Sequence, residues 1–201
     1  MSAHAFIAEI FSSAGEGQEA ILEAIRGVNK QVIQNEPNAS VYYWYTPEEA
    51  NGGTAIGLRT FLNLVDTIGK ACPGEPKLSI ENLAQVAGFT EREAPQSAGL
   101  VVVARFVVEL ESQDRILKLL QKYAGFVQQS EPETLTFVVY QSRERPGEIV
   151  VFQRFVSRSS FEQQHSQTPE PKKLENDPSS HIKNADVRTY KEAGIGFLKR
   201  Q

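Results

Sequence analysis

The sequence predicts an α+β chain in which one strand–helix–strand–strand–helix–strand unit occurs twice. Two observations lead there. The segment Asn35-Glu36-Pro37-Asn38-Ala39-Ser40-Val41-Tyr42-Tyr43-Trp44-Tyr45 returns 95 residues later as Ser130-Glu131-Pro132-Glu133-Thr134-Leu135-Thr136-Phe137-Val138-Val139-Tyr140. The same offset pairs Phe11 with Phe106, Gln18 with Gln113, Ile21 with Ile116 and Leu22 with Leu117, with no gap. A unit this long is not a solenoid repeat, whose periods run about 20–50 residues. Two similar sheets in one chain are expected, as in a dimer whose subunits were fused.

Each half opens on a strand, Ala5 to Phe11 and Leu100 to Phe106, rich in the Val, Ile and Phe that a pleated buried surface accepts. A helix follows. Ile21, Ile25, Val28 and Val32 recur at helical spacing in the first half, and Ile116, Leu119, Leu120, Tyr123 and Val127 in the second. One apolar stripe per helix means one buried face, laid most simply on the half's own sheet. Proline disfavours helix in the residue before it, so Glu36 and Glu131 mark the helix exits.

The second strands start just beyond. Leu135, Phe137 and Val139 share one face, an all-apolar set that should meet a dry layer; Thr134, Thr136, Val138 and Tyr140 share the other. Carried back by the offset, the first face holds Ser40, Tyr42 and Trp44, and Tyr43 and Tyr45 lie opposite. Hairpin loops are expected from Thr46 to Gly57 and from Ser142 to Gly147. The third strands, Leu58 to Val65 and Ile149 to Val156, then align at a shift of 91, so the loops absorb the difference.

Beyond them the copies diverge. The second has a short helix, Ser159 to His165, and a polar stretch through Pro169, Pro171 and Pro178. The first has Ile68 to Cys72, a Pro-Gly turn and an expected helix from Leu78 to Ala87. Fourth strands are expected near Phe89 to Glu93 and Asp186 to Tyr190, with Gly88 and Ala94 to Ser97 punctuating the join. That order is ferredoxin-like, with repeats at residues 1–95 and 96–201.

Composition narrows the function. The chain has 201 residues, 40% of them hydrophobic, enough for a sizeable core. No apolar run reaches the roughly 20 residues of a membrane helix. No basic region precedes an apolar one at the start, so a cytoplasmic protein is expected. The one cysteine, Cys72, excludes an internal disulfide and any multi-cysteine metal site. The net charge of −4 divides into −6 over residues 1–95 and +2 over 96–201. No basic stripe matches a phosphate backbone, so nucleic acid is not an expected partner.

The residues resemble the antibiotic biosynthesis monooxygenase (ABM) family of dimeric α/β barrels. Glu-Pro at the first helix exit, a strand ending in Tyr, a third strand and a Ser…Phe…His helix make up its signature. The second half shows Glu131-Pro132, Tyr140, Val150 to Phe155 and then Ser157, Phe161 and His165; the first keeps Glu36-Pro37 and Tyr45 without the histidine helix. The resemblance implies two ferredoxin-like βαββαβ repeats whose antiparallel sheets pack as an intrachain dimeric α/β barrel. Such an internal pseudo-dimer leaves a further homodimer open.

It also implies a cofactor-independent oxygenase in secondary metabolism, acting on an aromatic phenol, anthrone or hydroquinone with dioxygen. Trp44, Tyr42 and His165 are then the expected catalytic residues. Asn63, Arg154, Tyr43, Tyr45 and Tyr140 are the expected substrate-binding residues. Imidazole is a suitable proton acceptor near neutral pH. Arg154 would suit a carbonyl or phenolate. Each has a plainer alternative: core packing for the aromatic strand, a seam between the halves for Asn63 and Arg154, a surface position for His165. Haem-degrading relatives need an Asn, a Trp and a His in one unit, which this chain lacks. Three scattered histidines, His4, His165 and His181, give no metal-ligand spacing. A polyketide cyclase or isomerase, or a non-catalytic small-molecule-binding protein on the same fold, remain the competing readings.

Overall fold

The structure is a computed structural model that describes residues 4–11, 17–35, 42–47, 54–59, 77–90, 92, 97–169 and 182–197. In chain order the elements are β1 (His4–Phe11), α1 (Gly17–Asn35), β2 (Tyr42–Pro47), β3 (Thr54–Arg59), β4 (Lys77–Phe89), β5 (Leu100–Val108), α2 (Leu110–Ser130), β6 (Thr134–Ser142), β7 (Glu148–Phe155) and β8 (Ile182–Phe197). A short helical segment between β7 and β8 has a π turn, Ser160–Gln164, and a 3₁₀ turn, His165–Gln167. The fold is α+β, with two ferredoxin-like repeats. In the second, β8-β5-β7-β6 is the 4-1-3-2 strand order of that unit.

The helices form where the apolar spacing places them. Ile21, Ile25, Val28 and Val32 are buried on α1, and Ile116, Leu120, Tyr123 and Val127 on α2, each pair 95 residues apart. Each buried aliphatic side chain contributes about 1.5–3 kcal/mol relative to exposure. Leu119, expected on the same stripe, is 36% exposed, because it lies a hundred degrees round the helix from Leu120. Both helices end immediately before Glu-Pro, at Asn35 and Ser130.

Two expected elements differ. The helix over Leu78 to Ala87 is strand: β4 runs from Lys77 to Phe89, and the fourth strand expected at Phe89 to Glu93 therefore ends where it was to begin. The residues are good helix formers, but pairing with β6, from Leu83↔Ser142 to Phe89↔Phe137, overrides that preference. In the first repeat β3 begins at Thr54, so the hairpin loop is shorter than Thr46 to Gly57. The remainder of the third strand, Ile68 to Cys72, and the boundary near residue 95 lie outside the described residues.

The last strand of each repeat leaves home. β4 ends beside β6 of the second repeat, and β8 ends beside β2 of the first. Both crossings use a glycine of positive φ. A Cβ on Gly88 (φ 95°) would lie 1.9 Å from Phe137 O, and one on Gly196 (φ 102°) would lie 1.9 Å from Tyr42 O. Phe137 and Tyr42 are themselves repeat-equivalent, so the exchange is reciprocal. Only glycine admits a backbone this close.

The chain divides into two compact units, one spanning Leu83–Tyr190 and the other Ala3–Asn82 with Lys191–Gln201; the divisions fall inside β4 and β8. Each unit has its own core. Ile21, Ile25, Val28 and Val32 pack with Tyr42 and Trp44 in one. Ile116, Leu120, Tyr123 and Val127 pack with Phe137, Val139, Ile149 and Val151 in the other.

Candidate functional site around His165

The site grows from the Glu-Pro exit of α2. Pro132 ends the helix, and Glu131 caps it by donating its backbone N–H to Val127 O at 3.0 Å. A tight turn follows, closed by Thr134 N–H to Glu131 O at 3.1 Å. Thr134 Oγ1 also donates to Glu131 Oε2 at 2.9 Å, which folds the carboxylate inward. There His165 Nδ1 meets Glu131 Oε2 at 2.6 Å, with both side chains about nineteen-twentieths buried. A buried carboxylate needs such partners. The surface alternative for His165 is thereby overturned.

Glu133 ties down the other end of the helical segment. Its Oε2 accepts from Ser160 Oγ at 2.7 Å, and its carbonyl accepts from Val156 N–H at 3.0 Å. Ser157 Oγ accepts from Ser160 N–H at 3.1 Å, capping the segment's start. Phe161 and His165 are four apart, and the π turn brings their rings to 6.1 Å, nearly parallel. π turns often mark functional positions because they re-aim one side chain without breaking the helix.

Rings enclose the imidazole. Phe155 is 5.0 Å from it, Tyr123 5.4 Å and Phe137 5.9 Å, centroid to centroid. Tyr123 Oη lies 3.3 Å from both ring nitrogens and 3.1 Å from Thr168 Oγ1. Proton counting constrains the set. Thr168 Oγ1 donates to His165 O at 2.9 Å, so toward Tyr123 it only accepts. Tyr123 then gives its one proton to Thr168 or to the imidazole. With Nδ1–H donating to Glu131, Nε2 carries the lone pair. Glu131 Oε1 and Gln153 Oε1 are buried with no hydrogen-bond partner among the described residues.

Arg92 fixes the whole turn. Its guanidinium donates to Thr134 O at 2.8 Å, Gln128 O at 3.0 Å, Val127 O at 3.3 Å and Glu131 O at 2.6 Å. It also lies 5.0 Å from the Phe89 ring centroid. A cation on the last carbonyls complements the helix dipole. Burial lowers the guanidinium's pKa from its ordinary value, and the Glu131 charge pulls it back.

The expected site residues fall into separate places. Tyr42 and Trp44 lie buried in the α1 core of the first unit, edge to face at 5.9 Å, so the structure does not group them with His165. Trp44 Nε1 has no partner among the described residues. Tyr43 and Tyr45 occupy the opposite face of β2, their rings 6.3 Å apart, and Tyr43 Oη donates to Glu192 Oε1 at 2.7 Å.

Arg154 and Tyr140 are buried on the face of β6 and β7 turned away from α2. Arg154 pairs with Thr136 and donates to its Oγ1 at 3.4 Å. His165 stands on the other face, so Arg154 and His165 do not meet. Burial pushes the Tyr140 phenol well above its ordinary range, keeping it protonated. Asn63 lies outside the described residues. Sequence reasoning missed Glu131, Tyr123 and Gln153 as site residues; the one signal was the Glu-Pro motif, which it reads as a helix stop and as part of the family signature, with no role for the carboxylate. Among the described residues, no cluster of His, Cys, Asp or Glu is placed to hold a metal ion.

Fold and site together define a two-repeat ferredoxin-like protein with a buried His–Glu centre beneath the helix of its second repeat. Residues 99–176, within the second repeat, match the family model "Antibiotic biosynthesis monooxygenase". No protein of curated function matches the sequence. Among solved structures, a Lactobacillus acidophilus protein provisionally named a monooxygenase is 14% identical, with a TM-score of 0.79 over 98% of this chain and 97% of its own. A similarly named Fusobacterium nucleatum protein is 11% identical, with a TM-score of 0.80 over 100% and 97%. An anthrone oxidase-like protein is 13% identical, with a TM-score of 0.62 over 96% of both chains. At these identities the likeness is one of fold. Among the described residues no helix is long and apolar enough to cross a membrane.

Proposed function

We propose that this protein is a cofactor-independent monooxygenase that oxidises an electron-rich aromatic ring, a phenol, anthrone or hydroquinone, with dioxygen. The observation that carries the reading is the buried His165–Glu131 pair inside a wall of Phe137, Phe155 and Phe161. His165 Nε2 takes the substrate proton, and Glu131 stabilises the imidazolium that results. The carbanion or phenolate then passes an electron to dioxygen, and recombination forms the carbon–oxygen bond. For an anthrone, one oxygen becomes the new ring carbonyl and the other leaves as water with both methylene hydrogens. A hydroquinone gives a hydroxyquinone and water by the same count. The phenylalanine wall orients a flat ring and excludes water. Phe161 is the partly exposed member of that wall, and in this reading the substrate enters past it.

In this reading Trp44 and Tyr42, with Tyr43, Tyr45, Tyr140 and Arg154, serve the packing of the fold and do not touch the substrate at His165. Secondary metabolism and a cytoplasmic setting go with the reading. The test is dioxygen consumption by purified protein given anthrone or a simple hydroquinone, against uncatalysed autoxidation. Uptake with quinone formation, lost on His165→Ala, is expected. No uptake while either compound still binds would move the function to a cyclase, an isomerase or a binding protein.

A further inference from the structure

Two buried acceptor oxygens of this unit have no donor among the described residues. Gln153 is 5% exposed and Glu131 5%, and Oε1 of each has no partner among the described residues. Gln153 sits on the α2-facing side of β7, registered beside Phe137 of β6 and Val102 of β5. Phe155, two residues on, shares that face. Phe137 and Phe155 are both in ring contact with His165. A buried polar atom left unpaired is costly, and the cost is recovered only by a donor. A carbonyl brings no donor; a hydroxyl does.

We infer that Gln153 is a specificity-determining residue whose side-chain oxygen accepts a ring hydroxyl, so that the centre selects dihydroxylated aromatic rings over their quinones and ethers. Glu131 Oε1 is the second buried acceptor without a partner among the described residues. The inference rests on the reading of the His165 centre as the ligand site. It makes a hydroquinone-type ring the preferred ligand and unsubstituted anthrone, with the single hydroxyl of its enol form, a poorer one.

Calorimetric titration under nitrogen tests this with 1,4-dihydroxynaphthalene, 1,4-dimethoxynaphthalene and 1,4-naphthoquinone. The dihydroxy compound is expected to bind about ten-fold or more tightly than either of the others. Gln153→Leu, which removes the orphan acceptor and should fold at least as well, is expected to erase most of that preference. Equal binding of all three by the native protein overturns the inference, as does an undiminished preference in Gln153→Leu. Binding of none also overturns it. Because no oxygen is present, a preserved hydroxyl preference alongside absent oxygen uptake would sink the oxygenase reading while leaving Gln153 in its role.

Discussion

Under their helices the two repeats distribute bulk in opposite ways. In the first, the helix offers Val28 and the strand offers Tyr42 and Trp44. In the second, the equivalent positions are Tyr123, Phe137 and Val139. The large side chain has moved from strand to helix, with a small one taking its former place. Volume is roughly conserved, which is what a close-packed interior demands. The chemistry is not conserved. A tryptophan on the strand packs, whereas a tyrosine on the helix brings a hydroxyl to His165 and Thr168. Packing thus accounts for the size of Trp44 without a ligand, and the second repeat holds the polar centre.

Breaking that centre gives the largest expected effect. Glu131→Ala strips partners from His165 and Thr134 in a dry interior, and should cost about 3–5 kcal/mol by urea melt. Glu131→Gln, which keeps an acceptor, should cost less and still lower oxygen uptake by about 100-fold through loss of proton handling. An unchanged melt for Glu131→Ala would show that the pair does not hold α2 to the 157–168 segment.

Next come the two crossing glycines. Gly88→Ala and Gly196→Ala each force a Cβ onto a carbonyl oxygen at a positive φ. Each should cost about 3 kcal/mol, a melting shift on the order of 10 °C. Similar losses would mark the exchange as symmetric. A loss confined to Gly88→Ala would place more of the stability with the second repeat.

The bulk exchange itself can be cycled. Trp44→Val should cost about 3 kcal/mol, and Val28→Tyr about 1–3 kcal/mol through overpacking. The double variant should recover about 1 kcal/mol or more of the summed loss. Additive losses would refute the compensation. Oxygen uptake should persist in any variant that stays folded; a ten-fold fall with Trp44→Val would instead assign the working site to the first repeat.

The smallest effect is expected from Arg92→Ala, about 1–2 kcal/mol, since its four acceptors are carbonyls that water can partly serve. Hydrogen exchange should quicken in the last turn of α2 and in the Glu131–Thr134 turn. Unaltered protection there would remove Arg92 from its capping role.

The duplication, both helices, their buried faces and the helix stops at Glu-Pro were legible along the chain, because each depends on spacing within one element. The dry face of Leu135, Phe137 and Val139 was legible too, since alternation decides it locally. His165 could be picked out by its motif, but its burial could not, because its cover comes from Tyr123, Phe137 and Phe155 on three other elements. β4 was misread for the same reason. Its helix-forming residues are made strand by a partner, β6, that lies fifty residues further on and in the other repeat.

What the sequence by itself determined was which segments are regular and which of their faces are apolar. Tertiary structure alone decided that Glu131 finds His165 thirty-four residues away, that Gly88 and Gly196 carry each last strand onto the other repeat, and that Arg154 and His165 lie on opposite faces of one sheet. The physical reason is that periodicity is written locally, whereas hydrogen-bond partners and backbone approach are fixed only when distant elements pack.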